Sequence, residues 1–170
     1  MKTFILMSAV AGSGKSTWAE QYRLTHKNVF IVSSDALRKE LGGKCQNFEH
    51  EKEVWERFSS DILKYRDYAD DVTVIGDSTN ILNKFRLYYG QNMVGFDKKI
   101  LVVIKKKCDQ VLETNQLRNE SRVVPDDAIK HMFEIWEEPD EEVLSYYDEC
   151  IVVDKWFPSP NVKDDFHYQD

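Results

Sequence analysis

Short apolar runs alternate with amphipathic stretches along the whole chain. Phe4-Ile5-Leu6-Met7 is uninterrupted, so residues 3–8 predict a first strand buried on both faces. A helix follows from Trp18 to about His26, and Asn28 to Val32 predicts a second strand. Ser33-Ser34-Asp35-Ala36-Leu37-Arg38 reads as a strand end passing into a serine-capped helix, which Gly42-Gly43 ends. Over residues 47–69 the apolar positions Phe48, Val54, Trp55, Phe58, Ile62, Tyr65 and Ala69 fall on one helical face, a stripe read as core. Val72 to Ile75 predicts a third strand that ends at Gly76-Asp77-Ser78-Thr79-Asn80, with a helix over 81–94. Lys99 to Ile104 is the fourth strand, followed by a helix from Cys108 or Asp109 to about Glu120. Pro125 with Asp126 and Asp127 marks another helix start, and Pro139 its break; Ala128, Ile129, Met132, Phe133 and Trp136 share its apolar face. Cys150 to Val153 is the fifth strand. The tail, 155–170, shows no clear pattern. Strands alternating with helices predict an α/β fold with a doubly wound parallel sheet, and no repeat or second domain interrupts residues 1–170.

Charge narrows the partners. The 170 residues carry 23 Lys plus Arg against 30 Asp plus Glu, a net charge of −7. That argues against long contact with a nucleic-acid backbone, which needs many cationic groups, but not against a site gripping one end of a strand. Cys45, Cys108 and Cys150 are odd in number and widely spaced, so reduced thiols and a cytoplasmic location are expected. Met1-Lys2 leads straight into the first strand, so no signal peptide is expected, and no apolar run approaches a membrane span. The four histidines have no metal-ligand spacing.

The chemistry gathers at the strand ends, where parallel sheets bind ligands. Ser8-Ala9-Val10-Ala11-Gly12-Ser13-Gly14-Lys15-Ser16-Thr17 lies between the first strand and the first helix, the context of a phosphate-binding loop. Gly12 and Gly14 let backbone N–H groups turn inward, and the helix start adds its positive end. Lys15 can reach the β- and γ-phosphates of ATP, and the Ser16 hydroxyl can ligate Mg²⁺. Ala9 occupies a place usually held by Gly and requires an ordinary φ there. Asp35, just past the second strand, suits a general base, and Arg38 one turn later suits a grip on an acceptor anion. Asp77 ends the third strand, where an acid supports Mg²⁺ and the loop serine, with Asn80 as its brace. Arg118 and Arg122, four apart near a helix end, read as a lid over the nucleotide at about 118–126, with one arginine on the transferring phosphate.

With these residues in hand the chain resembles the P-loop polynucleotide 5′-hydroxyl kinases, the kinase domain of the phage kinase/phosphatase and the bacterial end-healing kinases among them. The resemblance runs from the first strand to about Met132 and rests on Gly12 to Trp18, Ser34 to Arg38, Asp77 to Asn80 and Arg118 to Pro125. It implies a P-loop NTPase fold with strand order 2-3-1-4-5 and a helical lid. ATP and Mg²⁺ are the implied cofactors. Gly12, Ser13, Gly14, Lys15, Ser16, Thr17 and Arg118 would hold the nucleotide, and Ser16 and Asp77 the metal. Lys15, Asp35 and Arg122 would be catalytic; Asp35, Arg38, Asp77 and Asn80 would meet the acceptor. The implied acceptor is the 5′-hydroxyl end of RNA or DNA. No Asp-x-Asp-Gly-Thr phosphatase signature is present. The alternative is a kinase of a small hydroxyl compound, such as a sugar, nucleoside, antibiotic or nucleotide sugar, and the discriminator is whether Arg38 meets an acceptor phosphate.

Overall fold

Alternate residues of the first strand point to opposite faces of a sheet, and both sets are apolar. Phe4 and Leu6 join the core beneath the helices Glu51–Arg66 and Asn83–Asn92, with Phe58, Ile62, Val74 and Leu101. Ile5 and Met7 join the core beneath the helix Lys15–Thr25, with Ala19, Ile75 and Val102. This follows from a computed structural model that describes residues 1–45 and 47–154; the patternless tail lies outside the described residues. The strands are β1 Lys2–Ser8, β2 Val29–Ser33, β3 Val72–Asp77, β4 Lys98–Ile104 and β5 Glu149–Val153. The helices are α1 Lys15–Thr25, α2 Ser34–Gly42, α3 Glu51–Arg66, α4 Asn83–Asn92, α5 Cys108–Gln116, α6 Asp126–Ile135 and α7 Glu141–Leu144, with a 3₁₀ turn at Glu120–Arg122. The sheet is wholly parallel in the order β2-β3-β1-β4-β5, as the resemblance implies.

Register sets the site. Ser33 pairs with Asp77, and Leu6 with Gly76, so β1, β2 and β3 end side by side. A third apolar cluster, with Val10, Ala11, Ile81, Val111, Val124 and Ile129, packs the lid segment against the loop after β1. Fully buried apolar side chains of this size each stabilise the fold by about 1.5–3 kcal/mol.

Several predicted boundaries move: α1 begins at Lys15 rather than Trp18, α3 ends at Arg66 rather than 69, and α4 spans Asn83–Asn92 rather than 81–94. α3 begins at Glu51, not near 47: Asn47 Oδ1 accepts the Glu49 N–H at 3.0 Å and its amide donates to Gly42 O at 3.0 Å, so a side-chain-closed turn occupies that stretch. Phe48 therefore stands outside the core stripe, 56% exposed. α5 ends at Gln116, so Arg118 and Arg122 do not share a helix face. α6 ends at Ile135, leaving Trp136 beyond it, and the short α7, capped by Asp140 accepting from the Val143 N–H at 2.9 Å, was not foreseen.

Candidate active site at the strand ends

The loop after β1 has the backbone its glycines permit. Gly12 has φ 82° and Gly14 φ 92°, a region that L side chains rarely enter. Ala9 is fully buried, stays out of that region and donates its N–H to Thr79 O at 2.8 Å. The place usually held by glycine thus needs none here. Ser13 caps the turn by donating its hydroxyl to Val10 O. Lys15 opens α1 and is 6% exposed. Burial lowers its pKa, the carboxylates of Asp77 and Asp35 raise it, and Arg118 and Arg122 lower it. Groups from the loop, β3, α2 and the lid thus act on one ammonium.

Asp77 is 3% exposed at the end of β3. Its Oδ2 accepts the Ser16 hydroxyl proton at 2.6 Å, and its Oδ1 lies 4.0 Å from Lys15 Nζ with no hydrogen-bond partner. A buried acceptor without a donor is costly. Together with the Ser16 hydroxyl it supplies the hard oxygen chemistry that Mg²⁺ takes, sparse enough to leave places for water and phosphate oxygens. Among the described residues no cluster of three or more His, Cys, Asp or Glu could hold a metal. One hydroxyl backed by one carboxylate therefore fits an ion that arrives with a nucleotide.

Asp35 sits in the first turn of α2, where the helix end favours a carboxylate. Ser33 caps that helix, its Oγ accepting the Ala36 N–H at 3.2 Å. Arg38, 11% exposed, does not reach outward for an acceptor. Its Nη1 donates to Asp35 Oδ1 at 2.8 Å, while Nε and Nη2 fork onto the Glu51 carboxylate at 3.0 and 2.9 Å. Burial alone would lower the Arg38 pKa, but Glu51 and Asp35 more than reverse it. The rings of Phe48 and Trp55 flank the guanidinium at 4.8 and 5.5 Å.

Arg122 is 3% exposed and reaches from the lid to the loop, Nη2 donating to Ser16 Oγ at 3.2 Å. Arg118, just past α5, acts on the same Lys15. Asn80 does not brace Asp77. In the left-handed region at φ 43°, it donates its amide to Met7 O at 2.8 Å and Ser78 Oγ at 2.7 Å, so it ties the β3 turn to the end of β1. Thr17 is buried on α1 within the loop–helix junction.

Sequence reasoning missed three supports. Glu51 holds Arg38, and its only signal was an acid in a first helical turn. Asn115, fully buried, clips the lid: its amide donates to Val124 O at 2.7 Å and its Oδ1 accepts the Val124 N–H at 3.1 Å. A Cβ on Gly12 would approach Asn115 Cβ to 3.2 Å, so the loop packs closely against the end of α5 here. Arg86, fully buried, donates Nε to Ser8 Oγ at 3.0 Å, and Ser8 donates to Asn80 O at 2.7 Å. Burial lowers the Arg86 pKa to about 10.

The AAA domain family profile matches residues 4–139. No curated protein matches the sequence. Among solved structures, the chain is similar to a gluconokinase from Sinorhizobium meliloti 1021, with TM-score 0.63, 18% identity and coverage of 92% of this chain and 84% of that one. It is similar to Kti12 from Chaetomium thermophilum in complex with ADP-AlF3, with TM-score 0.67, 14% identity and coverage of 98% and 94%. A sugar kinase from Janibacter sp. HTCC2649 gives TM-score 0.61, 15% identity and coverage of 99% and 91%. At such identities the likeness carries the fold.

Proposed function

The chain belongs to the AAA domain family, a P-loop kinase family, and on that premise we propose that it is an ATP-dependent kinase of a small hydroxyl compound. The observation that carries the choice of acceptor is the engagement of Arg38. A polynucleotide 5′ end presents a phosphate one sugar away from its hydroxyl, and Arg38 was the residue expected to grip it. Its fork is taken by Glu51 and its remaining nitrogen by Asp35. To receive a phosphate, Arg38 would have to give up charged hydrogen bonds that it already makes to Glu51 or Asp35. Arg38 serves better as the orienter of Asp35. The names of the gluconokinase and the sugar kinase point the same way. The ordered motifs from Gly12 to Pro125 favour the polynucleotide reading, which stands second.

In the reaction proposed, Asp35 takes the proton of the acceptor hydroxyl as its oxygen bonds to the γ-phosphorus. The bond from that phosphorus to the bridging oxygen breaks, and ADP leaves with the electron pair. Lys15 and the Gly12–Gly14 backbone hold the phosphates, and Arg122 offsets charge on the transferring group. Ser16 and Asp77 would hold Mg²⁺, which would supply positive charge to offset that of the phosphates.

The test is transfer of labelled γ-phosphate to small alcohols, nucleosides, nucleoside 3′-phosphates and a 5′-hydroxyl oligonucleotide, with Lys15→Ala as the blank. Small acceptors should be labelled, and a 3′-phosphate should bring no advantage. Preferential labelling of the oligonucleotide and the 3′-phosphate, lost in Arg38→Ala, would restore the polynucleotide reading. Undiminished transfer by Lys15→Ala would remove the kinase reading altogether.

A further inference from the structure

A cleft of about 640 Å³ opens between the first half of α3 and the exposed side of α4. Trp55 lines it from α3, and Phe85, Tyr88 and Tyr89 line it from α4; Thr79 and Asn80 contribute from the turn after β3. Its size is that of a pocket for one small organic molecule. Two of its rings are held partly in water: Phe85 is 43% exposed and Tyr88 48% exposed, while Tyr89 is buried. The Lys84 ammonium lies 4.9 Å from the Phe85 ring.

The cleft is lined by none of Lys15, Ser16, Asp35 or Arg38, but its walls are backed by their neighbours. Thr79 O receives the Ala9 N–H of the phosphate loop, and Asn80 is bonded to Met7 at the end of β1. On the opposite wall, the Trp55 ring lies 5.5 Å from the guanidinium that holds Asp35. One wall is thus tied to the phosphate loop, and the other packs beside the guanidinium that holds Asp35. Aromatic faces reward a planar ring through stacking, and a ring-free polyol gains little from them.

We infer that this cleft takes the ring-bearing part of the acceptor, so that the acceptor is a hydroxyl compound carrying an aromatic or heteroaromatic ring. The inference rests on the kinase reading above and narrows it. The lysines at the rim, Lys52 and Lys84, leave room for a polar substituent on that ring, with the hydroxyl directed to Asp35.

The experiment measures binding and turnover separately in the full chain. Saturation-transfer NMR with uridine and 2-phenylethanol as ring probes, and gluconate and ribitol as ring-free probes, reports occupancy without turnover. Phe85→Ala/Tyr88→Ala alters exposed rings and should melt as the wild type does; Phe85→Leu keeps bulk and loses the ring. The ring probes should bind saturably and weaken at least tenfold in the double variant, with Phe85→Leu in between. The ring-free probes should not compete. Labelled γ-phosphate should pass to ring-bearing alcohols, with the double variant raising KM and sparing kcat. Absence of ring-probe binding, equal binding of gluconate, or indifference to the substitutions overturns the inference. If transfer then proceeds to a ring-free alcohol, the kinase reading stands without it. Ring binding that is lost in the variants, with no transfer to any ring-bearing alcohol, overturns the assignment of the cleft to the acceptor.

Discussion

At the residue scale the decisive arrangement is a carboxylate held by an arginine that is itself held by a second carboxylate. As the proposed base, Asp35 would need a fixed orientation to take a proton, and Arg38 holds it in one while Glu51 fills the rest of the arginine's fork. Asp35→Asn should retain ATP binding and lose about 10²–10⁴ in transfer rate, the range for a positioned base. Rate retention above about a tenth would make Asp35 only a first-turn acid that favours the start of α2. Glu51→Gln tests the positioning directly. It leaves Arg38 one carboxylate short and should lower kcat roughly tenfold, the worth of one charged hydrogen bond, with KM for ATP unchanged. Glu51→Asp should recover part of that loss; an unaltered kcat in Glu51→Gln would show that Asp35 needs no such support. Glu51 escaped sequence reasoning because its partner is 13 residues away and no spacing rule links them.

At the element scale the strands were readable because each is a continuous apolar run, and the motifs were readable because they sit at the ends of those runs. Helix ends were less so. Nothing in Gln116-Leu117-Arg118 resembles a stop, yet α5 ends there, because Asn115 turns its amide onto Val124 and draws the following chain back. A polar side chain on a buried helix face, four residues after Val111, was the one available signal. The start of α3 was misplaced because the Asn47 turn mimics a helical entry. Asn115→Ala strips two hydrogen bonds from the buried Val124 peptide, each worth about 1–3 kcal/mol when its partner is left unsatisfied. We expect a lowered melting temperature and faster hydrogen exchange at the Val124 amide. An unchanged exchange rate would mean that the lid is held by the apolar cluster around Ile129 instead.

At the scale of the whole molecule, an acidic chain places two buried cations at one mouth. Lys15 and Arg122 stand there against a net charge of −7. A small acceptor draws on no distributed basic surface, so transfer should change by no more than about twofold between 50 and 200 mM salt, whereas a protein neutralising many phosphates loses about 10³–10⁵ in affinity over that range. A steep loss would reopen the nucleic-acid reading. The contact between Arg122 and Ser16 has a consequence in the statistics of the ensemble. A guanidinium donating to the Ser16 hydroxyl and a divalent ion bound to that oxygen are mutually repulsive occupants of one position. With Ser16 as the proposed Mg²⁺ ligand, Arg122 would have to lift from that oxygen, so we expect Mg·ATP to select a second arrangement with Arg122 off the loop. Its apparent Kd exceeds the intrinsic one by the reciprocal of that second population. Removing the guanidinium should dissociate affinity from turnover: Arg122→Gln is expected to bind Mg·ATP as tightly as the parent or more so, while transfer falls by about 10³–10⁵. Markedly weaker binding in calorimetry would place Arg122 among the groups that hold the nucleotide, and the two-population picture would fall.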